Sequence, residues 1–205
     1  GSNLFVGGSF THIGSVSANR IARWDGTKWN ALDSGLSGST GGGTTVYDIA
    51  VSGSDVYVAG DFTTAGGVSA NHVARWSGSS WAALGPGLGG IVYALAMDGE
   101  KLYAGGYFKS SGETLINSIA RWDGSKWLPL GRGIDNPSAW GAQTVYCLAV
   151  GNGYVYAGGA FYYAGGKSAN CIAKWDGSSW STVGEGLSGG GEVYAITVHD
   201  GDLYL

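Results

Sequence analysis

A six-residue phrase, Trp-x-Gly-x-x-Trp, occurs four times in this chain, as Trp24 to Trp29, Trp76 to Trp81, Trp122 to Trp127 and Trp175 to Trp180. Eight of the nine tryptophans stand in these pairs, so the pairs set the period of the whole sequence. Repetition at such a period means that one supersecondary unit is copied along the chain. A unit of this kind cannot bury its apolar faces alone, so it has to stack on its neighbours.

The unit from Asp55 to Glu100 shows the strand pattern. A first apolar run ends at Phe62, and a loop covers 63–71. A second run, His72 to Trp76, meets the tight turn Ser77-Gly78-Ser79-Ser80, and a third follows from Trp81 to Leu84. A glycine-rich connection leads to Val92–Met97, where Asp98-Gly99 opens the next unit. Asp-Gly between apolar runs is a strong hairpin signal, because the turn demands positive φ. No helical period appears anywhere. Four short antiparallel strands per unit of about 50 residues form the blade of a propeller. The expected fold class is therefore all-β, a β-propeller with four blade units present. The strands are named A (Val92–Met97 type), B (Val56–Phe62 type), C (Val73–Trp76 type) and D (Trp81–Leu84 type), from inside outward. The chain reads as one domain or propeller segment over 1–205, with units 1–54, 55–100, 101–153 and 154–201 and a fifth starting at 202–205.

A glycine doublet ends strand B at Gly7-Gly8, Gly105-Gly106 and Gly158-Gly159, with Ala59-Gly60 in its place once. Small residues there let neighbouring blades approach. The Trp pairs Trp24/Trp29, Trp76/Trp81, Trp122/Trp127 and Trp175/Trp180 are assigned to scaffold, clipping strands C and D together. With doublet and pair together, the chain resembles kelch-type propeller repeats. It looks closer to the kelch-like repeats of secreted bacterial surface proteins and of fungal cell-polarity markers, where GG-x-F … WDG-x-x-W recurs. It departs from kelch in using Trp for the first aromatic and in its shorter turn. The resemblance implies a propeller over essentially the whole chain. It implies little about function, since propellers host many tasks.

Only 13% of residues are charged, against about 25% in ordinary soluble domains. Ser, Thr, Asn and Gly must then cover the exterior, a texture that suits an extracellular or cell-surface protein. The net charge of −4 and the absence of a basic cluster exclude nucleic acid as a partner. No apolar run approaches the ~18 residues that membrane insertion needs. Cys147 and Cys171 fall on strands two apart in one sheet, about 10 Å by strand spacing, too far to bridge.

Loop lengths separate constant from variable parts. From strand B to C, Phe10 to Ile21, Phe62 to Val73, Phe108 to Ile119 and Phe161 to Ile172 are each eleven apart. From D to A the spacing changes: fourteen for Leu32 to Val46, eight for Leu84 to Val92, fifteen for Leu130 to Val145 and ten for Val183 to Val193. Both loop sets share one face of a propeller, and variation confined to one face marks a binding side. The longest insertion carries Asp135, Asn136 and the one unpaired tryptophan, Trp140. It feeds the blade whose B-to-C loop holds Tyr162 and Tyr163. Trp140, Tyr162 and Tyr163 with Asp135 and Asn136 form the candidate ligand site, three rings to stack on a sugar and polar groups to bond its hydroxyls. Against this stands the plainer reading, in which Trp140 plugs its own loop, where a tryptophan usually ends up. Asn19, Asn71, Asn117 and Asn170 recur before strand C, and the plain expectation is that each closes a turn on its own backbone.

Catalytic and metal chemistry find no foothold. His12, His72 and His199 occupy non-equivalent positions without zinc-like spacing. No Gly-x-Ser-x-Gly elbow is present. His199-Asp200-Gly201-Asp202 reads as a hairpin turn rather than a calcium loop. No catalytic residue, metal or cofactor is assigned. The first reading is a non-catalytic extracellular binding or interaction module, with a carbohydrate or protein partner on the D-to-A and B-to-C loop face. The second is a structural subunit of an extracellular assembly. The third is a glycan-active hydrolase or lyase using loop carboxylates. Blade one begins at strand B. The Val193–Val198 strand is expected either to close a ring by supplying the missing strand A, or to belong to a larger propeller or to copies that exchange strands.

Overall fold

The computed structural model describes residues 3–135 and 143–205, and these residues form strands and turns with no helix. The fold is a β-propeller. Three antiparallel sheets have four strands each, in the order A-B-C-D. The second blade holds Thr45–Ser52, Asp55–Asp61, Val73–Trp76 and Trp81–Ala83. The third holds Val92–Asp98, Lys101–Gly106, Ile119–Trp122 and Trp127–Pro129. The fourth holds Thr144–Gly151, Tyr154–Ala160, Ile172–Trp175 and Trp180–Thr182. The first blade has strands B, C and D alone: Leu4–Gly7, Ile21–Trp24 and Trp29–Ala31. Sequence repeat and blade are thus offset by one strand, since the strand A that ends one repeat heads the next sheet.

The offset decides closure. The expectation that Val193–Val198 supplies strand A to the first blade is not met. Its strand portion, Thr197–His199, pairs with Asp202–Tyr204, the strand B that opens the fifth unit. The reason is local: Asp200 and Gly201 both adopt positive φ (51° and 86°), and a two-residue turn closes at far lower entropy cost than a pairing across the chain.

The Trp pair acts at two levels. Within a blade, the two residues face each other across the C–D hairpin, Trp76 opposite Trp81 for example, with ring centroids 5.3 Å apart. The turn between them is held by its first residue. Asp123 Oδ1 accepts the amides of Ser125 and Lys126 at 2.9 and 2.8 Å, and Asp25 and Asp176 do the same in their blades. In the second blade Ser77 replaces the carboxylate and donates through Oγ to Ser80 O. Between blades, the second tryptophan straps its sheet to the one before. Trp81 Nε1 donates to Leu32 O at 3.0 Å, Trp127 to Leu84 O at 3.1 Å and Trp180 to Leu130 O at 2.7 Å. A buried indole N–H without such an acceptor would cost about 1–3 kcal/mol.

The core lies between blades. Ile21, Leu32 and Leu36 of the first blade pack with Val46, Val56 and Val58 of the second. The same layer recurs with Val73, Leu84 and Leu88 against Val92, Leu102 and Phe108. The first glycine of the doublet makes the approach possible. A Cβ at Gly7, Gly105 or Gly158 would lie 2.3, 2.5 or 2.5 Å from a side-chain carbon of Val46, Val145 or Val193 on the next blade. Cys147 and Cys171 are buried and unbridged, and burial pushes the Cys147 thiol up to about 11.

Candidate functional site

The D-to-A and B-to-C loops meet on one face and build a second layer there. Each B-to-C loop folds into a two-residue hairpin, such as Thr64–Ala65 with Val68–Ser69. The start of the preceding D-to-A connection adds an edge strand to it: Leu36–Ser37 pairs with Thr64–Ala65, and Ile134–Asp135 pairs with Tyr163–Ala164. Only the second half of each connection is therefore free to vary.

This layer places three of the sequence-predicted site residues. Asp135 stands directly opposite Tyr163. Its carboxylate is 8% exposed, with Oδ2 accepting Arg132 Nε at 2.9 Å and Oδ1 accepting the Gly166 amide at 3.0 Å. Both oxygens are engaged in holding the loop. Tyr163 is half-buried, and Tyr162 beside it is 51% exposed. Asn136 and Trp140 lie outside the described residues, and with them the convergence of three aromatic rings.

The recurring asparagines work differently from the expectation. Each Nδ2 donates not to its own turn but to a carbonyl fifteen residues on, three residues past strand D in the D-to-A connection: Ser34 O, Pro86 O, Arg132 O and Glu185 O, at 2.8–3.1 Å. Each Asn carbonyl in turn accepts the amide of Leu36, Leu88, Ile134 or Leu187. The asparagine is a rivet between the two loops of one face. A turn-forming residue type suggested a local bond, but the blade brings a distant carbonyl within reach.

The residue after each asparagine differs in every blade: Arg20, His72, Ser118 and Cys171. All four adopt positive φ, 70°, 64°, 60° and 72°, which turns the side chain toward the loop feeding the next blade. Ser118 Oγ donates to Gln143 O at 2.6 Å, and Cys171 Sγ to Gly191 O at 2.8 Å. Gln143 and Gly191 each stand two residues before the first valine of strand A. At the junction of the second and third blades the equivalent residue is Gly90, on the shortest connection. His72 does not bond it. Instead a groove of about 510 Å³ opens there, lined by Thr40, Asn71, His72, Pro86, Gly90 and Ser110 among others.

His72 is 3% exposed. Its Nδ1 lies 3.2 Å from Gly60 O and 3.8 Å from Asp61 Oδ1. A carbonyl only accepts, so Nδ1 carries the proton and Nε2 is the acceptor. Burial lowers the imidazole pKa, outweighing the opposing pull of Gly60 and Asp61, and so keeps the ring neutral at pH 7. Asp61 Oδ1 accepts the Thr40 amide and hydroxyl at 2.9 and 3.1 Å, which ties the preceding loop to the same spot.

At the inner rim of this face runs a feature that reading the sequence missed. Tyr47, Tyr93, Tyr146 and Tyr194 occupy the same register in successive strand A segments. Their rings form one row, with neighbouring centroids 5.0, 5.7 and 5.2 Å apart. Each of the first three sits at a register shift, between Val46 and Asp48, Val92 and Ala94, and Val145 and Cys147. A bulge of this kind re-aims a side chain, here out of the interblade core. Tyr47 is 47% and Tyr194 70% exposed. Burial raises the phenol pKa of Tyr93 and Tyr146, and the hydrogen bond to Glu192 raises that of Tyr194. The Tyr93 and Tyr146 hydroxyls therefore stay protonated and able to donate at neutral pH, while that of Tyr194 donates to Glu192. Asp48 supports the row: its Oδ2 accepts the Leu95 amide at 2.7 Å across the blade boundary. The signal in the sequence was a Val-Tyr dipeptide opening every strand A, which resembles an ordinary core strand.

Clefts on the opposite rim repeat with the blades, each against the first tryptophan of a pair, Trp76, Trp122 or Trp175. Among the described residues, no three His, Cys, Asp or Glu side chains cluster as metal ligands.

The chain is similar to a β-propeller domain of unknown function, DUF5122, over residues 3–24 and 55–75. These segments are strand B, the B-to-C loop and strand C of the first two blades. The likeness covers the scaffold and leaves the D-to-A connections untouched. No curated protein matches the chain.

Proposed function

We propose that the chain is a non-catalytic binding module whose ligand face is formed by the D-to-A and B-to-C loops, with carbohydrate as the ligand class. The observation that carries this is the tyrosine row. Four phenols, one per repeat, form a row on the face where loop length varies, three of them turned there by bulges, and the hydroxyls of Tyr93 and Tyr146 can both donate and accept. Rings with an apolar body and a polar tip suit sugars, which offer C–H faces and hydroxyls together. Tyr162 extends the aromatic surface outward. The kelch-like repeat pattern and the sparse charge support an extracellular or cell-surface setting. An array of neutral and acidic glycans is the direct test. Binding that falls at least tenfold in Tyr93→Ala and Tyr146→Ala supports the reading; binding that both variants leave intact removes the row from it.

A second reading, a structural subunit joining copies of itself, draws on the edge of Leu4–Gly7, which pairs with strand C on one side and with no strand A among the described residues. Solution mass against concentration tests it. A single mass at all concentrations counts against self-assembly.

A further inference from the structure

The residues after the four asparagines point to a subsite more specific than the row. At the third and fourth blades, Ser118 and Cys171 hand their hydrogen to the loop carbonyl two residues before strand A. At the second blade the connection is eight residues long, Leu84 to Val92, and His72 turns its one N–H back to Gly60 O. Its other nitrogen, Nε2, has no hydrogen-bond partner among the described residues. Among those residues, the one side-chain nitrogen or oxygen both unbonded and sealed from solvent is Arg20 Nε. His72 Nε2 is thus not a sealed and unbonded atom, and His72 lines the groove.

A buried imidazole, fixed in one tautomer and left with a free acceptor in a groove, requires a donor from outside. The lining says which kind. Asp61, the carboxylate nearest the ring, accepts two bonds from Thr40 through Oδ1 and keeps its negative charge, which disfavours an acidic ligand. Asn71 uses its Nδ2 on Pro86 O and keeps its amide oxygen as a second acceptor. Ser110 offers a hydroxyl, and Pro86 an apolar wall. Acceptors, a hydroxyl and an apolar wall beside a negative charge match a neutral polyhydroxylated ring.

We propose that this groove is a subsite for one residue of a neutral glycan, with His72 Nε2 accepting a sugar hydroxyl. The proposal rests on the carbohydrate reading of the loop face and adds the residue and the kind of sugar. Position 72 discriminates because a hydroxyl that donates to a buried acceptor is matched, while a ligand without one leaves that acceptor desolvated and unpaired.

The test takes the whole chain, labelled with ¹⁵N in the histidine rings, and glucose, mannose and galactose hexasaccharides as probes. With a hexasaccharide that binds, the Nε2 resonance of His72 moves toward the hydrogen-bonded range while Nδ1 stays. His72→Phe weakens binding by about tenfold, and His72→Gln, whose amide oxygen still accepts, stays within a few fold. The resonance arm uses the unaltered protein, so it does not depend on how a variant folds. An Nε2 signal unmoved on binding overturns the subsite. If Tyr93→Ala then abolishes that binding, the loop face survives as the ligand face and His72 leaves it. Binding of acidic glycans with none of the three neutral probes overturns the ligand class proposed for the groove. Binding untouched by His72→Phe, Tyr93→Ala and Tyr146→Ala alike overturns the subsite and the loop-face reading together.

Discussion

The outer hairpins and the loop face are made from the same repeat, yet they treat variation in opposite ways. At the outer edge every described blade repeats a Trp pair and a four-residue turn closed by its first side chain, and the second, third and fourth add an indole N–H strapped to the previous blade. On the loop face the asparagine rivet is constant, but the next residue is Arg20, His72, Ser118 or Cys171, and each has its own partner. What differs is the source of the hydrogen-bond acceptor. The outer strap reaches the end of strand D, which the stacking of blades places identically each time. Ser118 and Cys171 reach the end of the D-to-A connection, which has no fixed length, while Arg20 and His72 turn back to Phe10 O and Gly60 O. A constant partner keeps a residue constant, and a variable partner lets a site appear.

The largest test of this contrast breaks the strap. Trp127→Ala removes a ring 1% exposed and leaves Leu84 O without its donor. Urea unfolding should show a loss of about 3–5 kcal/mol. Trp29, half-buried and without such a strap among the described residues, should lose clearly less on the same change; an equal loss would deny the strap its role. Next in size, Gly105→Leu forces atoms into Val145 of the neighbouring blade and should cost about 1–3 kcal/mol. Ala59→Gly, at the one doublet position that already carries a Cβ, should cost no more than about 1 kcal/mol. On the loop face, Ser118→Ala gives up the bond to Gln143 O and should cost about 1 kcal/mol. His72→Gln has no loop bond to lose and should leave the melting temperature within a few degrees; the reverse ranking would mean that His72, not Ser118, is the scaffold residue.

The smallest effect is an acid one. The Thr27 hydroxyl is the main cause that holds the Asp25 carboxyl well below its ordinary range. Backbone amides of Lys126 and Ser178 lead in doing the same for Asp123 and Asp176. Because the folded pKa values are depressed, this stabilisation is complete above the unfolded value of about 3.9. It is lost as pH falls through the folded values. Melting temperature should therefore drop below pH 4, and the triple change of Asp25, Asp123 and Asp176 to Asn should flatten that drop. An unchanged acid profile would remove these turns as its source.

Much of the fold was legible because it is periodic. The Trp pairs, the Asp-Gly turns and the glycine doublets each report a local constraint, and four repeats make the report consistent. The site was less legible for three separate reasons. The tyrosine row looked like core, because an aromatic in a strand is usually core, and only the bulge turns it outward. The asparagines looked like local turns, because their acceptors stand fifteen residues away and meet them only through the sheet. Asp135 looked like a free carboxylate, yet Arg132 and Gly166 occupy it. Asn136 and Trp140 fall outside the described residues, so that part of the expected site is carried by sequence alone.

By itself, the sequence determined what each repeat does within its own span: four strands, their turns, the clip, and loops of equal or unequal length. These follow from hydrogen bonding and sterics over a few residues. The tertiary structure decided what happens across spans. It paired the last described strand A with the start of the fifth unit instead of the first blade, strapped three indoles to the previous sheet, gathered four tyrosines into a row and set His72 in the lining of a groove. Such outcomes depend on which backbone carbonyl another blade brings near, and that position exists only after the blades have stacked.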